Sequence, residues 1–328
     1  MSSRVLISTI ISTYKRPGLL LQALDSLRAQ HYRPLEILVV DDGSPDETRQ
    51  AVERWRAQAA AEDGLQLRYV RQENQGPAAG RNRGIAMARG DYVQFMDDDD
   101  ILDEQALVRL YEALQGRSGA VASMASYRQF REGEPMDAAP LERQRAGHDA
   151  AERLGMMIRG DWFVPVHGYL FSRAALERIG PWCTRLTSQE DDEFLLRAAL
   201  ADVQFVTAPQ ALVYYCHHDR ERRSVPGGRA QDSVEKGTVA RLFADLAIRE
   251  QVFQGLQQRG GAQRYREDFT AWQARLCSRY APQMRGADFS DHAVMRWLAQ
   301  FSGVVAADLE PSPAQRPNPA EVSCALSV

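Results

Sequence analysis

Apolar positions in the first hundred residues fall into two alternating rhythms. Residues 5–12 form a short β-branched run, the pattern of a strand buried on both faces. Pro17 then opens a helix that carries Leu20, Leu24 and Leu27 on one stripe. Residues 35–40 read as a second buried strand, 45–60 as a helix and 67–71 as a short strand. Residues 76–88 read as a helix closed by Gly90, 91–96 as a fourth strand, 104–115 as a helix and 120–129 as a fifth strand. This alternation predicts an α/β fold, a mostly parallel sheet with helices on both faces. After Phe130 the rhythm loosens. Residues 132–147 are polar and rich in Pro and Arg, which predicts a surface excursion or lid. Residues 169–172, 203–206 and 212–216 are short strand candidates, with helices near 173–179 and 190–201. From about 231 to 305 the pattern is entirely helical, and 311–328 has no periodicity, as expected of a disordered tail.

Composition narrows the class. The length of 328 residues suggests about two domains, or one large α/β unit with an extension. A core of ordinary size at that length needs no disulfide or metal staple. The balance of 40 basic against 44 acidic residues argues against a protein that coats a polyanion, so no nucleic-acid partner is expected. No run approaches the ~18 apolar residues that a bilayer-spanning helix requires. The N-terminal apolar run lacks a cleavage site and reads as a buried strand, not as a signal peptide. Cys183, Cys216, Cys277 and Cys324 are scattered, which argues against a zinc site or disulfide framework and for a reducing compartment. The expectation is a cytoplasmic protein.

Ligands of open α/β sheets lie outside the carboxyl ends of the strands, and three strands here end in unusual residues. They are Ser12-Thr13-Tyr14-Lys15-Arg16-Pro17, Asp41-Asp42-Gly43-Ser44 and Asp97-Asp98-Asp99-Asp100. Asp, Gly and Pro are ordinary at strand ends, but four consecutive carboxylates repel one another unless a cation or donor groups compensate. If the chain stays extended, Asp97 and Asp99 project to one side, roughly 6.5–7 Å apart. Asp98 then faces away, and Asp100 supports the turn or caps the next helix. Hard oxygen donors of this kind select Mg²⁺ or Mn²⁺; an acidic turn without a ligand is the alternative. The stretch Asn74-Gln75-Gly76-Pro77-Ala78-Ala79-Gly80-Arg81-Asn82-Arg83-Gly84 opens a helix with small residues that admit a ligand. Arg81 and Arg83 there are forked donors suited to phosphate oxygens, though surface arginines at a helix start are equally ordinary. No dinucleotide fingerprint and no Gly-x-x-x-x-Gly-Lys loop is present, which removes the usual dehydrogenase and ATPase readings.

Taken together and in order, these segments resemble the inverting glycosyltransferases of family 2, nucleotide-diphospho-sugar transferases of the GT-A fold. The likeness runs over about the first 220 residues. It extends to Glu190-Asp191-Asp192-Glu193-Phe194-Leu195-Leu196-Arg197, similar to a family motif whose Asp is the catalytic base, with Phe194 in place of Leu. A capping box at the same helix start is the plainer reading of these acids. The resemblance implies that Thr13, Tyr14 and Asp42 hold the base, with Arg16, Arg81, Asp97 and Asp98 also on the nucleotide, and that Asp99 holds Mn²⁺ or Mg²⁺. It implies Asp191 as general base, with Glu190 as the fallback. His218, after Tyr214-Tyr215-Cys216-His217, matches a family His that reaches metal or diphosphate; Cys216 and His217 stand where basic residues are commoner. His167 and Trp182 are acceptor-side candidates, although packing explains a tryptophan equally well.

The implied organisation is a GT-A domain over 1–225, with donor half 1–100 and acceptor half 101–225, then a helical extension over 226–310 and the tail. The implied partners are a nucleotide-sugar donor, UDP-linked first, and a glycan or lipid-linked acceptor. Arginines of the extension (Arg241, Arg249, Arg259, Arg264, Arg266, Arg275 and Arg279) suggest peripheral contact with an anionic membrane, or equally a solvated helix face. A nucleotidyltransferase and a non-catalytic member of the fold are the competing readings. The first lacks its Gly-rich loop after the first strand, and the second sits poorly with Asp97, Asp99 and Asp191 all in place.

Overall fold

The computed structural model describes residues 5–60, 62–131, 133–136, 140–142, 149–186, 188–217 and 230–284. The chain divides into two compact units. One comprises Met1–Ala150, Val164–Thr184 and Ala201–Arg220, the other Ala151–Phe163, Arg185–Leu200 and Glu221–Val328.

Among the described residues the first unit is built on a nine-stranded sheet. Strand β1 (Ile7–Thr13) is central, pairing in parallel with β2 (Leu35–Asp41) and β4 (Tyr92–Asp97); β2 pairs in parallel with β3 (Leu65–Arg71). All seven residues of β2 are buried, as its uninterrupted apolar run requires of a strand covered on both faces. Helices α1 (Pro17–Arg28), α2 (Thr48–Ala59) and α3 (Pro77–Met87) connect these strands. Proline opens α1 and α3, where its missing N–H costs nothing. Helix α2 begins three residues later than the sequence suggests. Ser44 N–H bonds Asp41 Oδ1, and Asp46 Oδ1 takes the Thr48 N–H, so residues 44–47 are used by the turn.

Short β5 (Ile101–Leu102) leads to α4 (Ala106–Glu112), then to β6 (Val121–Arg131) and β7 (Leu141–Glu142). After the excursion come β8 (Tyr169–Ser172), α6 (Arg173–Ile179) and β9 (Gln204–His217). The order is β3-β2-β1-β4-β8-β6-β9-β5, with β7 beside β6. The long ladders are parallel, whereas β8 runs antiparallel to both neighbours. The two late strands expected at 203–206 and 212–216 are one strand. It passes an irregularity at which Ala125 pairs Ala208 and Ser126 pairs Leu212, so Pro209 sits where no ladder bond is needed.

Side chains alternate across β1. Ile7 and Ile11 join a core with Leu24, Leu27, Ile37 and Val39. Ile10 and Ser12 meet α3, whose Gly80 and Gly84 lie against them without room for a methyl group: a Cβ at 84 would overlap Ile10 Cγ2, and one at 80 would overlap Ser12 Oγ. Gly84→Ala is therefore expected to destabilise the sheet unit by about 1–3 kcal/mol through overpacking. Urea unfolding measures it, and an unchanged midpoint would mean that α3 has slack.

Among the described residues the second unit is helical, formed by α5 (Ala150–Arg159), α7 (Glu190–Leu200), α8 (Ala230–Gln258) and α9 (Arg266–Met284). Helix α5 lies just past the predicted excursion. Leu154, Ile158, Leu196, Leu242, Phe269 and Trp272 are among its core residues. Arg249, expected on the surface of the extension, is instead only 2% exposed. No helix among the described residues is long and apolar enough to cross a membrane.

Candidate active site

Parallel register brings the carboxyl ends of β1, β2, β3 and β4 to one edge. Thr13 lies opposite Asp41, Asp41 opposite Arg71, and Ser12 opposite Asp97. Two aspartates at the end of β2 have separate tasks. Asp41 is buried and takes the Ser44 N–H and the Tyr69 hydroxyl, shaping its own turn. Asp42 reaches across to the loop before α3: Oδ1 accepts from Gln72 Nε2 (2.8 Å) and the Gln75 N–H (2.9 Å), Oδ2 from the Gly76 N–H (2.7 Å). A carboxylate fixing two backbone amides sets the path by which the loop enters the helix. Beside it lies a cleft of about 600 Å³ lined by Gly43, Arg49, Arg71, Gln72, Glu73 and Asn74. Tyr14 stands 39% exposed at the end of β1, with Lys15 Nζ 4.7 Å from its ring centroid.

Donors meet every one of the four carboxylates after β4. Arg81 Nη2 bonds Asp97 Oδ1 at 2.7 Å. Thr13 Oγ1 bonds Asp98 Oδ2 at 2.6 Å, and Arg16 Nη1 lies 3.3 Å from Asp98 Oδ1 and 2.9 Å from Asp99 Oδ2. Asp100 accepts the Cys216 N–H at 2.9 Å on Oδ1 and lies 2.8 Å from His167 Nδ1 through Oδ2. The chain turns at 98–100 instead of continuing extended, so Asp98 does not face away. It is buried and binds back to the end of β1.

Burial, and next the neighbouring Asp99, push the Asp98 carboxyl up to about 6 against the pull of Arg16 and Thr13. Burial likewise lifts Asp100 to about 6, although His167 opposes it. For His167 itself burial disfavours the charge, but Asp100 outweighs it and raises its pKa. On Arg16 burial is outweighed by Asp98 and Asp99, which keep it firmly protonated.

These donors answer the repulsion argument for a cation without one. What supports a cation is geometry: Asp97, Asp99 and Asp100 offer carboxylate oxygens all within 4.8 Å of one another. Asp100 is 1% exposed and ties the turn to Cys216 and His167, whereas the Asp97 and Asp99 side chains are only partly buried, so those two are the residues that fit a hard divalent ion.

His167 and Trp182 do not offer themselves to an acceptor. The His167 ring is fully buried between Asp100 and Tyr215, whose ring stacks at 6.5 Å. Trp182 is 2% exposed, packs edge-on to Phe95 and carries the Arg81 guanidinium 4.4 Å from its ring centroid. Asn82 pins the Trp182 backbone from both sides, at 2.9 and 2.7 Å. Trp182 therefore orients Arg81 from behind. The sequence held no signal for that pairing, because the two lie a hundred residues apart.

In the second unit, Glu190, Asp191, Asp192 and Glu193 form the first turn of α7. Glu193 bonds Arg197 through both oxygens, at 2.7 and 2.8 Å, and Asp192 pairs with Arg249 at 3.3 Å. Glu190 is buried and Asp191 half-buried. His218 lies outside the described residues.

Proteins of known structure share this fold. The mannosyltransferase PcManGT of Pyrobaculum calidifontis, solved with GDP-Man and Mn²⁺, has a TM-score of 0.51 at 18% identity, covering 92% of this chain and 82% of that one. S. aureus TarS 1–349 in complex with UDP-GlcNAc has a TM-score of 0.58 at 18% identity, covering 90% and 79%. At such identity the likeness establishes the fold, which is the GT-A fold expected from the sequence. An uncharacterized glycosyltransferase of Nostoc sp. (strain PCC 7120) is 30% identical over 177 residues, so the chain spans 53% of that relative's length. The family Glycosyl transferase family 2 matches residues 8–180, just over half of the 328. The chain belongs to glycosyl transferase family 2.

Proposed function

We propose that the chain moves a sugar from a nucleotide-diphosphate donor, a UDP-sugar first, to the hydroxyl of a glycan or lipid-linked acceptor, with inversion at the anomeric carbon. One observation carries this reading: the acidic turn at residues 97–100 stands at the carboxyl edge of the sheet with two arginines already charged and aimed onto it. The complexes of TarS with UDP-GlcNAc and of PcManGT with GDP-Man and Mn²⁺, on the same fold, support a nucleotide-sugar donor.

On this reading Asp97 and Asp99 hold Mn²⁺ or Mg²⁺. The ion, when bound, offsets the charge developing on the departing diphosphate. Arg16 and Arg81, positioned by Asp97, Asp98 and Asp99, are the forked donors for phosphate oxygens. Tyr14 gives a flat exposed face to the base, and Thr13 and Asp42 fix the two loops that border it. Asp191 takes the acceptor proton as the new glycosidic bond forms and the bond to the diphosphate oxygen breaks. Inversion requires one such base and no second carboxylate nucleophile.

Product analysis tests the reading. Incubation with nucleotide sugars and Mn²⁺ is expected to release nucleoside diphosphate and to give a product of inverted anomeric configuration. Release of pyrophosphate would identify nucleotidyl transfer instead, and a product of retained configuration would remove the single-base mechanism.

A further inference from the structure

The helical unit buries a cation for which the proposed reaction has no direct use. Arg249 of α8 meets Asp245 Oδ1 at 2.9 Å, and both of its Nη atoms lie 3.3 Å from Asp192 Oδ2. It also donates to Met157 O at 3.3 Å and to Ile158 O at 3.5 Å. Those carbonyls belong to the last turn of α5, the negative end of that helix. Asp192 belongs to the first turn of α7, where four acids crowd together. One planar guanidinium thus joins α5, α7 and α8 at a single point, a task that suits the fork of arginine and not the point charge of lysine.

Further along, α7 is held by the same neighbour. Leu196 lies in one core with Leu242, Leu246 and Val252 of α8. At its far end Arg259 donates to Leu200 O, and Leu200 Cδ1 lies against Gly255. Helix α7 is thereby fixed at its start, middle and end. The start needs it most. First-turn amides have no partner within the helix, and Gln189, just before it, has φ +61°. That left-handed conformation costs a non-glycine residue on the order of 1 kcal/mol and persists only where the surroundings impose it.

We infer that Arg249 is a positioning residue for the base: through Asp192 it holds the first turn of α7, and with it Asp191, in a fixed place. This gives the helical extension a part in the chemistry, and it rests on Asp191 being the base. A displacement of about 1 Å at a reacting group costs up to ~100-fold in rate, so loss of the brace is expected to lower turnover and leave nucleotide affinity unchanged.

The test compares Arg249→Met, Asp192→Asn and Asp191→Asn with the parent protein. The donor is the nucleotide sugar whose diphosphate the chain binds, and the nucleophile is either a hydroxyl (water or a sugar acceptor) or azide. Azide is an anion and has no proton to lose, so it bypasses a misplaced base but not an unfolded protein. Arg249→Met and Asp192→Asn are expected to slow hydroxyl transfer about tenfold or more, with nucleotide affinity and azide transfer retained. Asp192 is half-exposed, so its variant decides the matter if Arg249→Met fails to fold. Parent-like hydroxyl transfer in Asp192→Asn, or a parallel loss of azide and hydroxyl transfer, would overturn the inference. If Asp191→Asn itself leaves hydroxyl transfer intact, the base reading fails; if only Asp191→Asn shows the loss, the brace alone fails.

Discussion

Asp191→Asn is expected to lower turnover about 10²–10⁴-fold, the usual worth of a positioned general base, with nucleotide affinity at the parent value. Asparagine keeps the shape and the hydrogen-bonding reach of the side chain but accepts no proton. The other acids of that turn are poorly placed for the task. Glu193 spends its charge on Arg197 and Asp192 on Arg249, while Glu190 is only 6% exposed. Initial rates over a range of donor concentration, paired with nucleotide titration, separate the two quantities. A capping role alone would lower stability by about 1 kcal/mol and leave the rate intact. Loss in Glu190→Gln with a parent-like Asp191→Asn would move the base by one residue.

Glu36→Gln is expected to destabilise the sheet unit by about 3 kcal/mol, the scale of an interrupted buried ion pair. Glu36 is fully buried in β2 and joins four segments. It accepts from Ser8 Oγ (2.6 Å), from Arg68 Nη1 (2.8 Å) and from the Arg89 N–H (2.9 Å), while Arg68 continues to Met87 O and Ser8 Oγ accepts from Gly90 N–H. Burial pushes the Glu36 carboxyl up, but these three donors outweigh it and hold it below its ordinary 4.5. Because the folded pKa is the lower one, this stability is complete above pH ~4.5 and is lost as pH falls towards the folded value. Urea unfolding of both proteins between pH 3 and 7 should therefore converge at the acid end, since Gln has no such charge to lose. A constant gap across that range would mean that packing, and not the charge, holds the network.

Much of this organisation was legible in the chain, for identifiable reasons. Strands β1, β2 and β4 announce themselves because a strand buried on both faces needs an unbroken apolar run. The ends of those strands are equally visible, since Asp-Asp-Gly-Ser and four aspartates in a row break the apolar pattern. What failed was extrapolation of local period through a turn: Asp98 was expected to face away because strands alternate, yet the backbone bends there and sends it back to Thr13. The separate strands expected at 203–206 and 212–216 are likewise one strand, because the sheet tolerates an irregularity between them. The pairs Asp100–His167, Arg81–Trp182 and Asp192–Arg249 were invisible because their partners lie 57 to 101 residues apart along the chain. His167 and Trp182 stand out in the sequence as chemistry-bearing residues, but only the folded arrangement shows them backing the acidic turn, His167 through Asp100 and Trp182 through Arg81.

The proposed donor site is central, and one titration addresses it. UDP, GDP and dTDP are each titrated calorimetrically into the parent protein and into Asp99→Ala, once with Mn²⁺ and once with EDTA. One nucleoside diphosphate should bind with Mn²⁺, and that metal-dependent binding should vanish with EDTA and in the folded Asp99→Ala variant. Folded parent protein that binds none of the three, or binds one equally well with EDTA and in Asp99→Ala, would contradict the assignment of the acidic turn to a metal-held donor diphosphate.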